Sequence, residues 1–209
     1  MAQGDRGLPP AREYLMGVMY RLMYAVGFTP WDRQMPAELK AVIEGPDALP
    51  PARALDLGSG LGTKAIYMAS HGWDVTGVEA VPRALREAQR RATAAGVKVD
   101  FRLGDVTRLS DLGLEPGYSL LHDFGCYHGL KSDERARYAQ GVTPLAATGA
   151  TLYMMEFTHA LPPVPSGVSE SELRERFGQA WDLLWSKPSE SGTPAMMRAS
   201  AAWFCLKKR

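Results

Sequence analysis

The segment LDLGSGLG, residues Leu55–Gly62, determines the fold of this chain, because it joins a short apolar strand to a helix through a glycine-rich turn. Glycines at 58, 60 and 62 let the backbone turn sharply and approach a ligand closely, where any side chain would collide. The spacing is close to the dinucleotide fingerprint G-x-G-x-x-G/A, whose last position is here Thr63. The turn alone is compatible with a structural turn, a nicotinamide cofactor or another adenosine-bearing cofactor.

Strands and helices alternate on both sides of this turn. The predicted strands are Ala52–Leu57, Trp73–Glu79, Val97–Leu103, Tyr118–Phe124, Gly149–Phe157, Trp181–Ser186 and Ala201–Lys208. The predicted helices follow the turn to about Ser70 and then cover Pro82–Ala95, Asp133–Ala147 and Glu170–Gly178. Strands separated by helices predict βαβ units, and therefore an α/β fold with a mainly parallel sheet between layers of helices.

The N-terminal residues have a different pattern. Apolar residues recur with helical spacing from Arg12 to Gly27, which predicts an amphipathic helix, and Ala37–Glu44 predicts a shorter one. The segment GPDALPP, residues Gly45–Pro51, then breaks the helix. We therefore predict an N-terminal helical lid or annex over residues 1–50 and a core over residues 51–209.

Composition excludes several classes of protein. The 209 residues are 45% hydrophobic and 22% charged, which is not the composition of a disordered chain. Twenty-four Lys and Arg residues against 23 Asp and Glu give a net charge of +1 without a basic stripe, so we expect no nucleic-acid partner. Two cysteines, no apolar run of about 20 residues and an N-terminus without a signal peptide predict a cytoplasmic protein without membrane association.

Acidic residues lie at or just after the ends of the first three predicted strands, at positions that suit an adenosine ligand. Asp56 ends the first strand, and a carboxylate there suits a cationic or amine-bearing group. Glu79 ends the second strand, where a carboxylate can accept from both ribose hydroxyls. Asp105 follows the third strand and can accept from an adenine amino group. The turn has no lysine or arginine for a diphosphate, so a ligand with an amino acid at one end and adenosine at the other is favoured.

These three motifs together resemble the S-adenosylmethionine-dependent methyltransferases with a Rossmann-like fold. The resemblance implies S-adenosyl-L-methionine as cofactor, S-adenosyl-L-homocysteine as product, and a last strand, Ala201–Lys208, inserted antiparallel between strands five and six. It implies that Asp56, Gly58 and Gly60 contact the methionine portion, Glu79 the ribose and Asp105 the adenine. The predicted cofactor contacts also include Ser59, Ala80, Val106, Asp123 and Trp31.

A second, shorter resemblance concerns Thr29–Asp32 (TPWD) and Phe124–His128 (FGCYH), which look like segments of the thiopurine, thiol and halide methyltransferases and of bacterial methyltransferases of heterocyclic toxins. It implies that Trp31 helps to cover the cofactor, although an anchor that packs the annex on the core is the alternative. Tyr20 and Tyr24 are predicted to contact the acceptor from the lid, with ordinary core packing as their alternative.

The carboxyl end of the fourth strand is where an open α/β sheet binds its ligands, so Asp123 and His128 are the predicted catalytic residues. We expect His128, with a near-neutral pKa, to act as a base; the alternatives are a helix cap for Asp123 and a solvated loop for His128. Tyr127, His128 and His159 are predicted to bind the acceptor, and Glu156 is a weaker polar candidate. The spacing of His122, Cys126 and His128 matches no zinc pattern, so we predict no metal.

The sequence thus predicts a methyltransferase, a monomer or homodimer, that acts on an oxygen, sulfur or nitrogen atom of a small aromatic or heterocyclic molecule. A thiol or halide methyltransferase and an inactive cofactor-binding regulatory module are the alternatives. A nucleic-acid methyltransferase is disfavoured because no N/D-P-P-Y/F segment follows the fourth strand. A nicotinamide oxidoreductase is disfavoured because all three strand ends carry the acidic residues expected for S-adenosylmethionine.

Overall fold

The computed structural model describes residues 22–23, 32, 35–160, 166–191 and 200–209, and strands and helices alternate through them. The helices are α1 (Ala37–Glu44), α2 (Thr63–Ser70), α3 (Pro82–Ala94), α4 (Ser132–Leu145) and α5 (Glu170–Phe177). The strands are β1 (Arg53–Leu57), β2 (Asp74–Glu79), β3 (Asp100–Leu103), β4 (Tyr118–Phe124), β5 (Ala146–Phe157), β6 (Trp181–Pro188) and β7 (Ala201–Lys208). Two 3₁₀ segments cover Val106–Leu112 and Tyr127–Gly129.

The described strands form one seven-stranded sheet in the order β3-β2-β1-β4-β5-β7-β6. Strands β1 to β5 pair in parallel, whereas β7 pairs antiparallel with both β5 and β6. The predicted Rossmann-like sheet, with its last strand inserted between strands five and six, is therefore confirmed. Because β1 to β5 run in one direction, their carboxyl ends lie along one edge of the sheet, which we call the carboxyl edge.

Helices cover both faces of the sheet. On one face, Leu39 of α1, Met68 of α2 and Ala88 of α3 pack with strand residues such as Tyr153 and Trp203. The other face is covered by α4 and α5, which contribute the residues Tyr138, Val142, Leu173 and Phe177. Each large apolar side chain that is fully buried contributes roughly 1.5–3 kcal/mol, so both layers are needed for stability.

Several boundaries differ from the prediction. Strand β5 begins at Ala146 rather than Gly149, because Ala146 already pairs with Tyr118 of β4. Helix α4 therefore ends at Leu145, with Pro144 in its last turn. Strand β3 begins at Asp100 rather than Val97, because Asp100 is the first residue that pairs with β2.

The N-terminal prediction falls mostly outside the described residues. Of the predicted helix 12–27 only Leu22 and Met23 are described, and both are helical. Tyr20, Tyr24 and Trp31 lie outside the described residues. Helix α1 has the predicted bounds and packs on the sheet, so this part of the predicted annex shares the core. None of the described helices is long and apolar enough to cross a membrane.

Candidate active site

The carboxyl edge brings together the acidic residues that the sequence singled out. Glu79 is the last residue of β2, and Asp105 follows β3 by two residues. Asp123 lies in β4 beside Met154 of β5, two residues before Glu156. The candidate site therefore has one half at the ends of β1 to β3 and another at the ends of β4 and β5.

The glycine turn is tightly packed against two neighbouring segments. Gly58 has φ 73°, and a Cβ atom there would lie 2.8 Å from the Cβ atom of Cys126. Gly62 has φ 79°, and a Cβ atom there would lie 2.8 Å from the ring of Phe101. These positions therefore require glycine both for backbone conformation and for space.

Backbone N–H groups of the turn are bonded within the protein. Those of Gly58 and Ser59 both donate to the carbonyl of Val78 at 2.9 Å. The N–H of Gly60 donates to Glu79 Oε2 at 2.9 Å, and that of Gly62 donates to the carbonyl of Ser59. A diphosphate would need such donors free, so this geometry disfavours a dinucleotide.

The other predicted cofactor residues differ in exposure. Glu79 is buried, also accepts from the N–H of Val81 at 2.7 Å, and burial raises its pKa. Ser59 Oγ is buried without a hydrogen-bond partner among the described residues. Asp105 is exposed and caps the first 3₁₀ segment by accepting from Thr107 N at 2.8 Å, whereas Val106 is buried in the core.

Asp56 is bonded to a histidine that sequence reasoning did not connect with it. Asp56 Oδ1 lies 2.7 Å from Nδ1 of His122, and both side chains are buried. The two residues face each other across β1 and β4, so the parallel register makes the pair. Nearby, Lys64 is buried with its Nζ atom 4.4 Å from the centre of the Phe124 ring, and burial lowers its pKa.

On the β4–β5 half, polar groups are bonded to each other. Asp123 accepts from Cys126 N and from the hydroxyl of Tyr138, both at 2.7 Å, and its carboxyl group lies close enough to that of Glu156 for the two to affect each other's pKa. Glu156 Oε2 accepts from the backbone N–H of His128 at 2.9 Å and lies 2.8 Å from Nδ1 of the same residue. Asp123 and Glu156 have no exposed surface, and His128 has 3%.

Burial determines the protonation of this half. It raises the pKa of Asp123 well above its ordinary value, with Glu156 adding to the effect, and raises the pKa of Glu156 to about 8. It lowers the pKa of His128 to about 4. The expected near-neutral pKa of His128 and its alternative of a solvated loop are therefore wrong, because Glu156, Phe157 and the loop at Gly125 enclose the ring. At neutral pH the imidazole is therefore neutral and Glu156 holds a proton, and burial also favours the protonated form of Asp123.

Comparison with known proteins agrees with this geometry. A family profile described as a methyltransferase domain matches residues 54–149. The 2-heptyl-1-hydroxyquinolin-4(1H)-one methyltransferase of Mycobacteroides abscessus is 31% identical over 134 residues, which cover 62% of this chain and 58% of that protein. The 1,6-didemethyltoxoflavin-N1-methyltransferase of Burkholderia thailandensis, solved with 1,6-didemethyltoxoflavin and S-adenosylhomocysteine, has a TM-score of 0.71 at 21% identity, covering 99% of this chain and 94% of that one.

Residues 54–149 thus match a methyltransferase-domain family, and the fold of the chain is that of the class I S-adenosylmethionine-dependent methyltransferases. A different relative, the 23S rRNA (uracil(747)-C(5))-methyltransferase of Pyrococcus abyssi, is 34% identical over 110 residues, which cover 53% of this chain and 25% of that protein. The chain thus spans less than two thirds of the length of both curated relatives. S-adenosylmethionine is the cofactor of this class.

The residues at the carboxyl edge fit S-adenosylmethionine as a cofactor. The turn approaches Cys126 too closely for any side chain at Gly58, and Ser59 offers an unpaired buried hydroxyl beside it. Asp56, Glu79 and Asp105 supply carboxylates along the same edge, as a ligand with an ammonium group, a ribose and an adenine requires. Their individual contacts with the methionine, the ribose and the adenine stay predictions, as do those of Ala80 and Val106.

The predicted acceptor residues Tyr127 and His159 differ in burial. Tyr127 is fully buried, in edge-on contact with Tyr138, and its hydroxyl lies 3.3 Å from Glu172, so its side chain packs in the core. His159 is exposed just after β5, with Nδ1 3.0 Å from the hydroxyl of Thr158. Their contacts with an acceptor, and those of Tyr20, Tyr24 and Trp31, stay predictions.

A second concave region lies away from this site. A groove of about 500 Å³ lies between the end of α3 and the start of β3, lined by residues that include Gln89, Thr93 and Lys98. It opens at the amino end of β3, opposite the carboxyl edge, so it is separate from the site. Within the described ranges, no group of three or more His, Cys, Asp or Glu side chains is placed to hold a metal ion.

Proposed function

We propose that this protein transfers the methyl group of S-adenosylmethionine to an oxygen, sulfur or nitrogen atom of a small aromatic or heterocyclic molecule. The observation that carries the proposal is the glycine turn, whose N–H groups are bonded to Val78 and Glu79 and beside which Asp56 and Glu79 lie at the carboxyl ends of their strands. The acceptor class is supported by the hydroxyquinolone relative and by the toxoflavin-type structural neighbour, both of which are named for heterocyclic substrates.

The chain's own residues would bind, orient and dehydrate the reactants. When bound, S-adenosylmethionine supplies a methyl group on a positively charged sulfur. We propose that Asp56, Glu79 and Asp105 hold the cofactor while the β4–β5 half faces the acceptor. Correct alignment of two reactants is equivalent to roughly 7–11 kcal/mol, so positioning alone can account for much of the rate. Asp123 and His128 are the candidate residues for removing a proton from a hydroxyl acceptor.

Three alternatives are tested with the same protein. A thiol or halide methyltransferase would use an acceptor that is already an anion and needs no base. An inactive regulatory module would bind the cofactor without turnover. The rRNA-modifying relative suggests an RNA methyltransferase as the third alternative. The balanced charge of the chain disfavours an RNA acceptor.

Calorimetry followed by a turnover assay tests the proposal. The full chain should bind S-adenosylmethionine and S-adenosylhomocysteine, and should not bind NAD or NADP measurably. It is then incubated with S-adenosylmethionine and, separately, 2-heptyl-1-hydroxyquinolin-4(1H)-one, 1,6-didemethyltoxoflavin, thiophenol, iodide and unmodified 23S rRNA. Formation of S-adenosylhomocysteine and the mass of the methylated product are measured.

Methylation of either heterocycle supports the proposal. Turnover only of thiophenol or iodide supports the thiol or halide alternative, and turnover only of the RNA overturns the small-molecule acceptor. Cofactor binding with no turnover of any acceptor favours the regulatory module. Tight binding of NAD or NADP without a response to S-adenosylmethionine overturns the methyltransferase activity itself.

A further inference from the structure

We propose that Glu156 is a positioning residue that controls which ring nitrogen of His128 carries the proton, and thereby whether His128 can accept a proton from substrate. The use of His128 as a base rests on the proposed methyl transfer, whereas its control by Glu156 rests on the geometry of the free protein. In the sequence Glu156 is only one of several polar residues at the strand ends.

Glu156 contacts His128 twice through one oxygen atom. Oε2 accepts from the backbone N–H of His128 at 2.9 Å and lies 2.8 Å from its Nδ1. The carbonyl of His128 accepts from Arg135 Nη2 at 3.0 Å, so both backbone polar groups of the residue are held. The ring also contacts Phe157, with centroids 4.5 Å apart. The imidazole is thus fixed with Nδ1 directed toward Glu156.

The opposite edge of the imidazole is directed toward the loop after β4. A Cβ atom at Gly125 would lie 3.1 Å from Cε1 and 3.8 Å from Nε2 of His128. The next residue, Cys126, is the one that packs against Gly58 of the glycine turn. Nε2 is therefore the ring nitrogen on the side of the candidate site, and Nδ1 is the one under control of Glu156.

The present contacts define one tautomer of His128. The backbone N–H of Phe157 donates to Nδ1 at 3.3 Å, so Nδ1 has a lone pair and the ring proton lies on Nε2. A protonated Glu156 is compatible with this state, because its O–H can also donate to Nδ1. In that state Nε2 is a donor and cannot accept a proton from substrate.

Loss of the Glu156 proton reverses these roles. A carboxylate 2.8 Å from an unprotonated Nδ1 would place two acceptors together, which favours an N–H on Nδ1. One proton leaves the Glu156 carboxyl for solvent, and the ring proton is exchanged from Nε2 to Nδ1. Nε2 then has a lone pair and can take the proton of a hydroxyl acceptor as the acceptor oxygen forms its bond to the methyl carbon and the sulfur–methyl bond breaks.

Other charged and titratable groups face this pair from each packed element. They are Asp123 from β4, Cys126 from the following loop, Arg135 and Tyr138 from α4, and Glu172 from α5. Arg135 is bonded to Glu172 at 2.8 Å, and Asp123 accepts from Tyr138. Burial raises the pKa of Asp123 well above its ordinary value and the pKa of Glu156 to about 8.

Nuclear magnetic resonance of the free protein tests the tautomer directly. The chain has four histidines, so full-length protein with ¹⁵N-labelled histidine gives a small set of long-range ¹H–¹⁵N signals, and the His128→Asn variant identifies those of His128. We expect His128 to change from the Nε2–H to the Nδ1–H form as the pH rises through about 8. The change should be absent in Glu156→Gln, whose amide does not titrate.

A matched control is Glu38→Gln, which removes a different buried glutamate that contacts Ser191 and Glu190 rather than His128. It should leave the transition of His128 unchanged. If Glu156→Gln does not fold, Glu156→Asp retains a titratable carboxyl on a shorter side chain and should shift the pH of the transition. A wild-type His128 that keeps one tautomer from pH 6.5 to 9.5, or an unchanged transition in the Glu156 variants, overturns the proposal.

Turnover gives the second readout. With 2-heptyl-1-hydroxyquinolin-4(1H)-one as the acceptor, kcat of the wild type should rise about tenfold more between pH 7 and 9 than kcat of Glu156→Gln, because ionisation of the acceptor itself is common to both. Equal pH profiles would remove Glu156 from proton handling. The tautomer measurement needs neither cofactor nor acceptor, so a failure of the proposed methyl transfer leaves it interpretable.

Discussion

The two halves of the carboxyl edge hold their acidic side chains in different ways. On the β1–β3 half, Glu79 accepts from the backbone N–H groups of Gly60 and Val81, and Asp105 accepts from that of Thr107. On the β4–β5 half, Asp123 and Glu156 are fully buried and each affects the pKa of the other.

This difference predicts that the β1–β3 half determines cofactor binding and that the β4–β5 half determines pH dependence. Carboxylates held by backbone N–H groups have a fixed geometry that depends on a few neighbouring residues, which suits recognition of a cofactor. Burial raises the pKa of both carboxyl groups on the second half, that of Glu156 to about 8, so the charge of this half changes with pH. Substitutions on the first half should therefore change cofactor affinity, whereas those on the second should change pH dependence.

The largest effect is expected for Gly58→Ala on the β1–β3 half. The left-handed conformation costs an alanine about 1–2 kcal/mol, and a Cβ atom 2.8 Å from that of Cys126 adds the cost of overpacking. The free energy of unfolding, measured in urea, should fall by about 2–5 kcal/mol.

Gly96→Ala is the matched control for this substitution. Gly96 has φ 69°, but a Cβ atom there would have nothing within 4 Å, so only the conformational cost of about 1–2 kcal/mol applies. Equal losses in the two variants would mean that contact between the glycine turn and Cys126 has no energetic importance.

Glu79→Ala should have the next largest effect. Hydrogen bonds to a charged group contribute about 1.5–3 kcal/mol, so the dissociation constant of S-adenosylhomocysteine should rise about 10- to 100-fold in calorimetry. Asp74→Ala is the control, because Asp74 is an exposed carboxylate at the other end of the same strand. An unchanged affinity in Glu79→Ala would exclude Glu79 from the ribose site.

Much of the fold and of the β1–β3 half could be predicted from sequence because both depend on local patterns. Ala201–Lys208 and Tyr118–Phe124 have the predicted bounds, since their apolar residues extend over the whole strand. The glycine turn, Glu79 and Asp105 lie at strand ends that periodicity alone locates. The start of β5 at Ala146 was missed because pairing with Tyr118, rather than the local sequence, extends the strand.

The β4–β5 half could not be predicted because its partners come from distant parts of the chain. His128 is enclosed by Glu156 and Phe157, 28 and 29 residues away, and by Arg135 on the next helix. A near-neutral histidine is the reasonable expectation until that burial is known. The pair of Asp56 and His122 likewise depends on strand register. In the sequence, the signal that could have revealed it was one polar residue in each of two buried strands that lie side by side in the sheet.

On the β4–β5 half, we expect an alkaline loss of stability that depends on Glu156. Its pKa is raised from 4.5 to about 8 on folding, so its contribution to stability is fully present below pH 4.5 and is lost as the pH rises through 8. Between pH 6 and 9 the free energy of unfolding should fall by about 1–3 kcal/mol more in the wild type than in Glu156→Gln.

Glu38→Gln provides a control of opposite sign. Hydrogen bonds, chiefly from Ser191, lower the pKa of Glu38 despite its burial, so its contribution is present above its unfolded pKa and is lost on acidification. The free energies of unfolding of this variant and of the wild type, taken from denaturation curves, should therefore differ at pH 7 and become similar at pH 3. Parallel pH dependence in wild type and Glu156→Gln would contradict the assignment of a shifted pKa to Glu156.

The smallest effect is expected where the predicted lid meets the β1–β3 half. Asp32, the residue after Trp31, has Oδ2 2.7 Å from Nη1 of Arg91 on α3, and Arg91 also pairs with Glu87. Because the Arg91 side chain is 35% exposed, Arg91→Ala should reduce stability by less than about 1 kcal/mol.

If Trp31 covers the cofactor, however, release of Asp32 should raise the dissociation constant of S-adenosylhomocysteine about two- to threefold, equivalent to roughly 0.5 kcal/mol. Arg90→Ala is the control, because Arg90 pairs with Glu87 without an ion pair to Asp32 among the described residues. The difference between the two variants should shrink in 1 M salt, where the Asp32–Arg91 ion pair is screened. Equal affinities at low salt would mean that the segment around Asp32 is anchored on α3 without helping to hold the cofactor.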